Sequence, residues 1–155
     1  MRRRRGTAAR LADRDELFLT IQAVLEEDRR DGGGLMLKKY RDQRDETLGG
    51  YCTIATETYF YLQEGEDLDP RAGGGLQPMM RRYEDTGGHW WLVRKSDGAI
   101  IDLTIRPGEA SDAANYEGEG VRRSGFMMHG YREPSKRAKA LIARVQARRA
   151  ATCDS

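Results

Sequence analysis

The chain reads as an α+β domain, with helices packed on an antiparallel sheet and a further helix at the C-terminus. Three observations predict this. Apolar residues recur at helical spacing toward both ends, two apolar runs face each other across Lys95-Ser96-Asp97-Gly98, and the pair Gly49-Gly50 interrupts the chain just before another helical run. With 155 residues and 38% apolar content, the chain supports one domain with a modest core. That domain is expected over residues 13–149, between disordered tails at 1–12 and 150–155.

Asp13 can cap a first helix over about residues 14–30, turning Leu17, Ile21, Val24 and Leu25 inward, and Gly32-Gly33-Gly34 ends it. A second short helix is expected over 35–43, with Leu35, Met36, Lys39 and Tyr40 at helical spacing. After Gly49-Gly50, a helix starting near Cys52 places Cys52, Ala55, Thr56, Tyr59 and Phe60 on one face. Residues 64–75 are acidic and glycine-rich and read as a loop. Their triple glycine lacks the lysine and Ser/Thr of a phosphate loop. Leu76 to Tyr83 reads as a strand, and Pro78 places it at a sheet edge. The run from Gly87 through His89 to Val93 and the run from Ala99 to Thr104 form the hairpin. Residues 107–120 read as an acidic loop suited to a flap over a cleft, and Phe126-Met127-Met128 as a last short strand. Pro134-Ser135 opens a C-terminal helix with Ala138, Leu141, Ile142 and Val145 on its inner stripe.

The net charge of +2 hides an uneven distribution. Arg2 to Arg5 and the stretch from Lys136 to Arg149 are basic, while the body between them is acidic. Basic ends attract anionic partners without reading sequence. Here they read as a solvated tail and the wet face of a helix, and the aromatic platforms of single-strand binders are missing, so nucleic-acid binding is not expected. No run approaches the length of a membrane span, and the arginine-rich start lacks the apolar stretch of a secretory signal. A cytoplasmic location is expected. The two cysteines, Cys52 and Cys153, suggest no disulfide framework, and the separation of His89 from His129 suggests no metal site. No cofactor is expected.

The chemistry-bearing residues are Cys52, His89 and Asp102. A cysteine at a helix start meets unpaired N–H groups and the positive end of the macrodipole, which favour a thiolate nucleophile and can stabilise an oxyanion. His89 would take and return the proton, and Asp102 would hold the imidazole tautomer, giving a thioester intermediate. Whether the set can assemble depends on the hairpin. A four-residue loop at 95–98 pairs Arg94 with Ala99 and sets Asp102 opposite Trp91, a same-face diagonal neighbour of His89. A two-residue Asp97-Gly98 turn leaves Asp102 roughly 13 Å along the strand from His89. A three-residue loop puts them on opposite faces. The triad therefore needs the widest of the three. Gln43, upstream of Cys52, is left out of the set, and His129 beside Gly130 reads as a loop residue.

This order of Cys, His and Asp, over residues 45–105, resembles the transglutaminase-like branch of the papain-like superfamily. Asp102-Leu103-Thr104 is similar to the family's Asp-Pro-Thr, with Leu103 in place of proline. Gly49-Gly50-Tyr51-Cys52 is also similar to the Arg-Gly-Gly-Tyr-Cys of arylamine N-acetyltransferases, with Leu48 in place of arginine, although the chain is too short for their three-domain fold. The Gly-Tyr-Cys helix, the His-Trp strand and the closing Pro-Ser-Lys-Arg-Ala helix resemble short proteins of tailed bacteriophages. The resemblance implies a papain-like core and a cysteine-dependent hydrolase or acyltransferase acting on an amide, isopeptide or thioester bond. It further implies a protein or peptide substrate, which in a phage setting includes host proteins of the bacterial cytoplasm. Two other functions fit the same residues: acetyl transfer from acetyl-coenzyme A, and a non-catalytic binding or inhibitor protein on the same fold.

Overall fold

The computed structural model describes residues 6–42, 46–64, 75–83, 87–117, 126 and 133–154. Its elements run α1 (Glu16–Arg30), α2 (Lys38–Arg41), α3 (Cys52–Glu64), β1 (Leu76–Tyr83), β2 (Gly87–Arg94), β3 (Ile100–Ile101), a 3-10 helix (Ala113–Tyr116) and α4 (Lys136–Cys153). The strands form one antiparallel sheet in the order β1-β2-β3, so the architecture is α+β. Pro78 lies on the edge strand, where its missing N–H costs the ladder least.

The expected inner stripe of α1 is buried, and Phe18, Gln22 and Asp28 are buried with it. Its cap is Asp15 rather than Asp13. Oδ1 of Asp15 accepts the N–H of Phe18 at 2.8 Å, and Oδ2 takes the Tyr59 hydroxyl at 2.8 Å and the Gln63 amide at 2.7 Å. Partners on α3 thus favour the later carboxylate. The second helix shrinks to four residues. Leu35 and Met36 precede it, held by tertiary bonds: Asp28 accepts the Leu35 N–H, and Arg41 donates to the carbonyls of Gly33 and Met36.

The break before α3 is sterically enforced. Gly50 has φ +89, and a side chain there would meet Met36 at 2.6 Å and Tyr40 at 3.2 Å. The helix itself is more buried than one apolar face implies. From Tyr51 to Tyr61 every residue except Thr53 is buried, because α3 packs against α1, α4, β1 and β2 at once.

The hairpin settles on the four-residue loop. The Arg94 N–H donates to Ala99 O at 2.9 Å, and Leu92 pairs with Ile101. Asp97 holds the loop, accepting from Arg94 at 2.9 and 2.5 Å and from the Ala99 N–H at 3.1 Å. β3 is shorter than the 99–104 run: at Asp102 the chain turns, with the Asp102 carboxylate accepting the N–H and hydroxyl of Thr104. The outer edge of β3 is covered by the segment before α1. The Ala12 N–H donates to Ile100 O and the Ile100 N–H to Arg10 O, so part of the 1–12 tail is a structured strap.

Residues 107–117 are not all loop. Asp112 caps the 3-10 helix through the Ala114 N–H at 2.9 Å, and Tyr116 is buried. Phe126 sits in a bend rather than a strand, fully buried against Phe60, Tyr61 and Trp90. Met127 and Met128 lie outside the described residues. Ser135 caps α4, which continues to Cys153, past the expected domain end at 149. Ala138, Leu141 and Val145 are buried and Ile142 is partly so.

Candidate active site

Helix rise and strand rise place Cys52 beside His89. The Thr56 hydroxyl donates to Trp90 O at 3.3 Å, and the Cys52 thiol reaches Gly88 O at 3.6 Å. Four helical residues and two strand residues each span about 6 Å, so α3 runs alongside β2 in step. Cys52, the first helical residue, is therefore level with the start of β2. Its exposure is 9%, so the thiol is nearly buried rather than displayed.

The wide loop brings Asp102 to the imidazole. His89 Nε2 lies 2.7 Å from Asp102 Oδ2 and donates to it, which leaves Nδ1 for the thiol. The carboxylate is well fixed. Oδ1 accepts the Thr104 N–H at 3.0 Å and its hydroxyl at 2.7 Å, while Oδ2 also accepts the Tyr116 hydroxyl at 3.1 Å. Trp91 stacks on His89 with ring centroids 5.8 Å apart, and Tyr116 meets Trp91 edge-on at 5.2 Å. The Asp102 side chain is 2% exposed and that of His89 is 21% exposed.

These contacts set the charges. Burial opposes the charged imidazolium of His89, but the hydrogen bonds the ring donates to Asp102 and to Cys52, with the charges of both residues, outweigh it, raising the pKa to about 10. Burial likewise opposes the Asp102 carboxylate, and His89 with Thr104 keeps its pKa below the usual value. The resulting pair is an imidazolium held between a buried carboxylate and a thiol at a helix N-terminus. Such a set can stabilise a thiolate by charge and deliver a proton to a leaving group.

All three residues singled out from the sequence are thus brought together. Gln43 and His129 lie outside the described residues. Cys153 is exposed on the last turn of α4. Several contributors carry no sequence signal of their own. Tyr116 comes from a stretch without periodicity, and Asp28 from the polar end of α1. Buried at 4% exposure, Asp28 accepts the hydroxyl of Tyr51 at 2.7 Å, the Leu35 N–H at 3.1 Å and Arg144 at 2.9 Å. It therefore anchors Tyr51, the residue immediately before Cys52. Thr104 was visible as the last member of the Asp-Leu-Thr pattern.

No cluster of three or more metal-ligating side chains occurs among the described residues, and no helix among them is long and apolar enough to cross a membrane. No family model, curated protein or solved structure matches the chain.

Proposed function

We propose that the protein is a cysteine-dependent hydrolase or acyltransferase of papain-like, transglutaminase-like architecture, acting first on amide bonds of a protein or peptide substrate. The observation that carries this reading is the 2.7 Å contact between His89 Nε2 and Asp102 Oδ2, with Cys52 as a further partner of the imidazole. Asp102 fixes the tautomer in which Nδ1 faces sulfur. The Cys52 thiolate attacks the carbonyl carbon beside the His89 imidazolium, which already holds the proton that the sulfur has given up. The oxyanion is received by N–H groups of the first turn of α3, which have no intrahelical acceptor. Collapse expels the amine, protonated by His89, and leaves a thioester on Cys52. Water, activated by His89, then releases the acid, whereas an amine acceptor at the same step makes the reaction a transfer.

Acylation by p-nitrophenyl acetate tests this directly. The expected result is a burst of p-nitrophenol stoichiometric with protein and an acetyl group on Cys52 by mass spectrometry, both absent in Cys52→Ala. Absence of any adduct on Cys52 in a folded wild-type protein would overturn it. Acetylation by acetyl-coenzyme A as well would favour the acetyltransferase form of the same chemistry.

A further inference from the structure

Arg137 occupies an unusual place for a cation on the first turn of a surface helix. That turn is pinned to α3, because the buried carboxylate of Glu57 accepts the Ser135 N–H at 3.0 Å and its hydroxyl at 2.8 Å. Arg137 then reaches away from its own helix and donates to Leu35 O at 3.0 Å. Leu35 leads into Met36 and Tyr40, the two side chains that press on Gly50, two residues before the nucleophile. The guanidinium therefore bridges α4 and the segment whose side chains pack on Gly50, next to the start of α3. It is half-buried, and among the described residues it makes this one hydrogen bond and no ion pair. Burial lowers its basicity, and the charges of Glu57, Cys52 and Tyr40 act in the opposite sense.

A partly desolvated guanidinium with no carboxylate in ion-pair contact among the described residues is costly unless something recovers the cost. Its planar fork matches a carboxylate, and one nitrogen fixed by Leu35 O orients the remaining donors. We propose that Arg137 is a specificity residue that seats a substrate carboxylate beside Cys52, so that the enzyme prefers acyl substrates bearing an acidic group next to the reacting carbonyl. This rests on Cys52 being the nucleophile.

Two alkylating probes separate the two ideas. Iodoacetamide is neutral and iodoacetate carries a carboxylate. Both react by the same displacement, in which the thiolate forms a carbon–sulfur bond and iodide leaves. The ratio of iodoacetate to iodoacetamide rates at Cys52, normalised to that at Cys153, reads anion recognition alone. The expected result is a ratio that falls about tenfold in Arg137→Gln, is retained in part by Arg137→Lys and is unchanged in Lys136→Gln, an exposed cation on the same turn. In the wild-type protein, acetate should slow iodoacetate alkylation of Cys52 and leave the iodoacetamide rate alone. An unchanged ratio in Arg137→Gln, an equal fall in Lys136→Gln, or no protection by acetate would each overturn the proposal. Failure of the nucleophile assignment looks different: Cys52 would then be no faster than Cys153 with iodoacetamide itself.

Discussion

Tyr116 donates its hydroxyl to Oδ2 of Asp102, the same oxygen that receives His89 Nε2, at 3.1 and 2.7 Å respectively. The shared acceptor makes Tyr116 a positioning residue that moderates how strongly Asp102 holds the imidazolium.

Removing that hydroxyl should therefore do two separable things. Tyr116→Phe keeps the ring against Trp91 but leaves the buried carboxylate one donor short, costing about 1 to 2 kcal/mol in denaturant unfolding. It should also move the alkaline limb of Cys52 acylation upward, because an oxygen freed of one donor binds the imidazolium more strongly. An alkaline limb that stays in place or moves down would show that Tyr116 serves packing alone.

Asp102→Asn tests the other side of the same oxygen. An amide cannot hold the imidazolium by charge and can present its N–H to Nε2, which favours the wrong tautomer. Acylation of Cys52 near neutral pH should fall by roughly 10²- to 10⁴-fold. The alkaline limb should move to lower pH. A loss under about threefold, measured by the p-nitrophenol burst rate, would contradict the assigned role.

The pH dependence of stability carries a defined sign. The pKa of His89 is raised in the folded protein from 6.5 to about 10. The native state holds this proton more tightly, so the contribution is complete below pH 6.5 and fades as pH rises toward 10. Tyr51 and Tyr59 are also raised, first by burial and then by bonds to Asp28 and Asp15, and they add to the loss above pH 10. Comparing wild type with His89→Gln by urea unfolding at pH 6 and pH 9 isolates the histidine. The difference in stability should shrink at the higher pH, and a constant difference would refute the shift.

How much was legible beforehand follows from the range of each interaction. Cys52 at a helix start, Ser135 at another and the glycine at position 50 are local features, and each appears where the sequence places it. The choice among three hairpin loops was not local, because the strong Asp97-Gly98 signal favours a tight turn. What selects the wider loop is the carboxylate of Asp97 bonding Arg94 and the Ala99 N–H, with Arg10 joining from a distant segment. Asp15 displaced Asp13 as the cap through bonds from α3, which sequence spacing cannot reveal. Tyr116 meets Asp102, and Asp28 meets Tyr51, only through tertiary folding, so composition and periodicity give them no mark.

Asp28 supplies a prediction about the support of Tyr51, the neighbour of Cys52. It joins the Tyr51 hydroxyl, the Leu35 backbone and Arg144, whose side chain is partly exposed and adds correspondingly little. Asp28→Ala should cost about 2 to 4 kcal/mol in chemical unfolding, chiefly from the stranded Tyr51 hydroxyl and Leu35 N–H. Tyr51→Phe removes one partner and should cost less. Equal stability of Asp28→Ala and wild type would rule out this anchoring role.

The most direct measurement is the pH profile of iodoacetamide alkylation at Cys52, read by mass spectrometry in wild type and His89→Ala, with Cys153 on the same chain as control. A thiolate–imidazolium pair predicts that Cys52 reacts faster than Cys153 below pH 7 and that the advantage disappears without His89. A Cys52 that is slower than Cys153 throughout, or whose profile ignores the loss of His89, would contradict a nucleophilic role and leave a binding protein on this fold as the remaining reading.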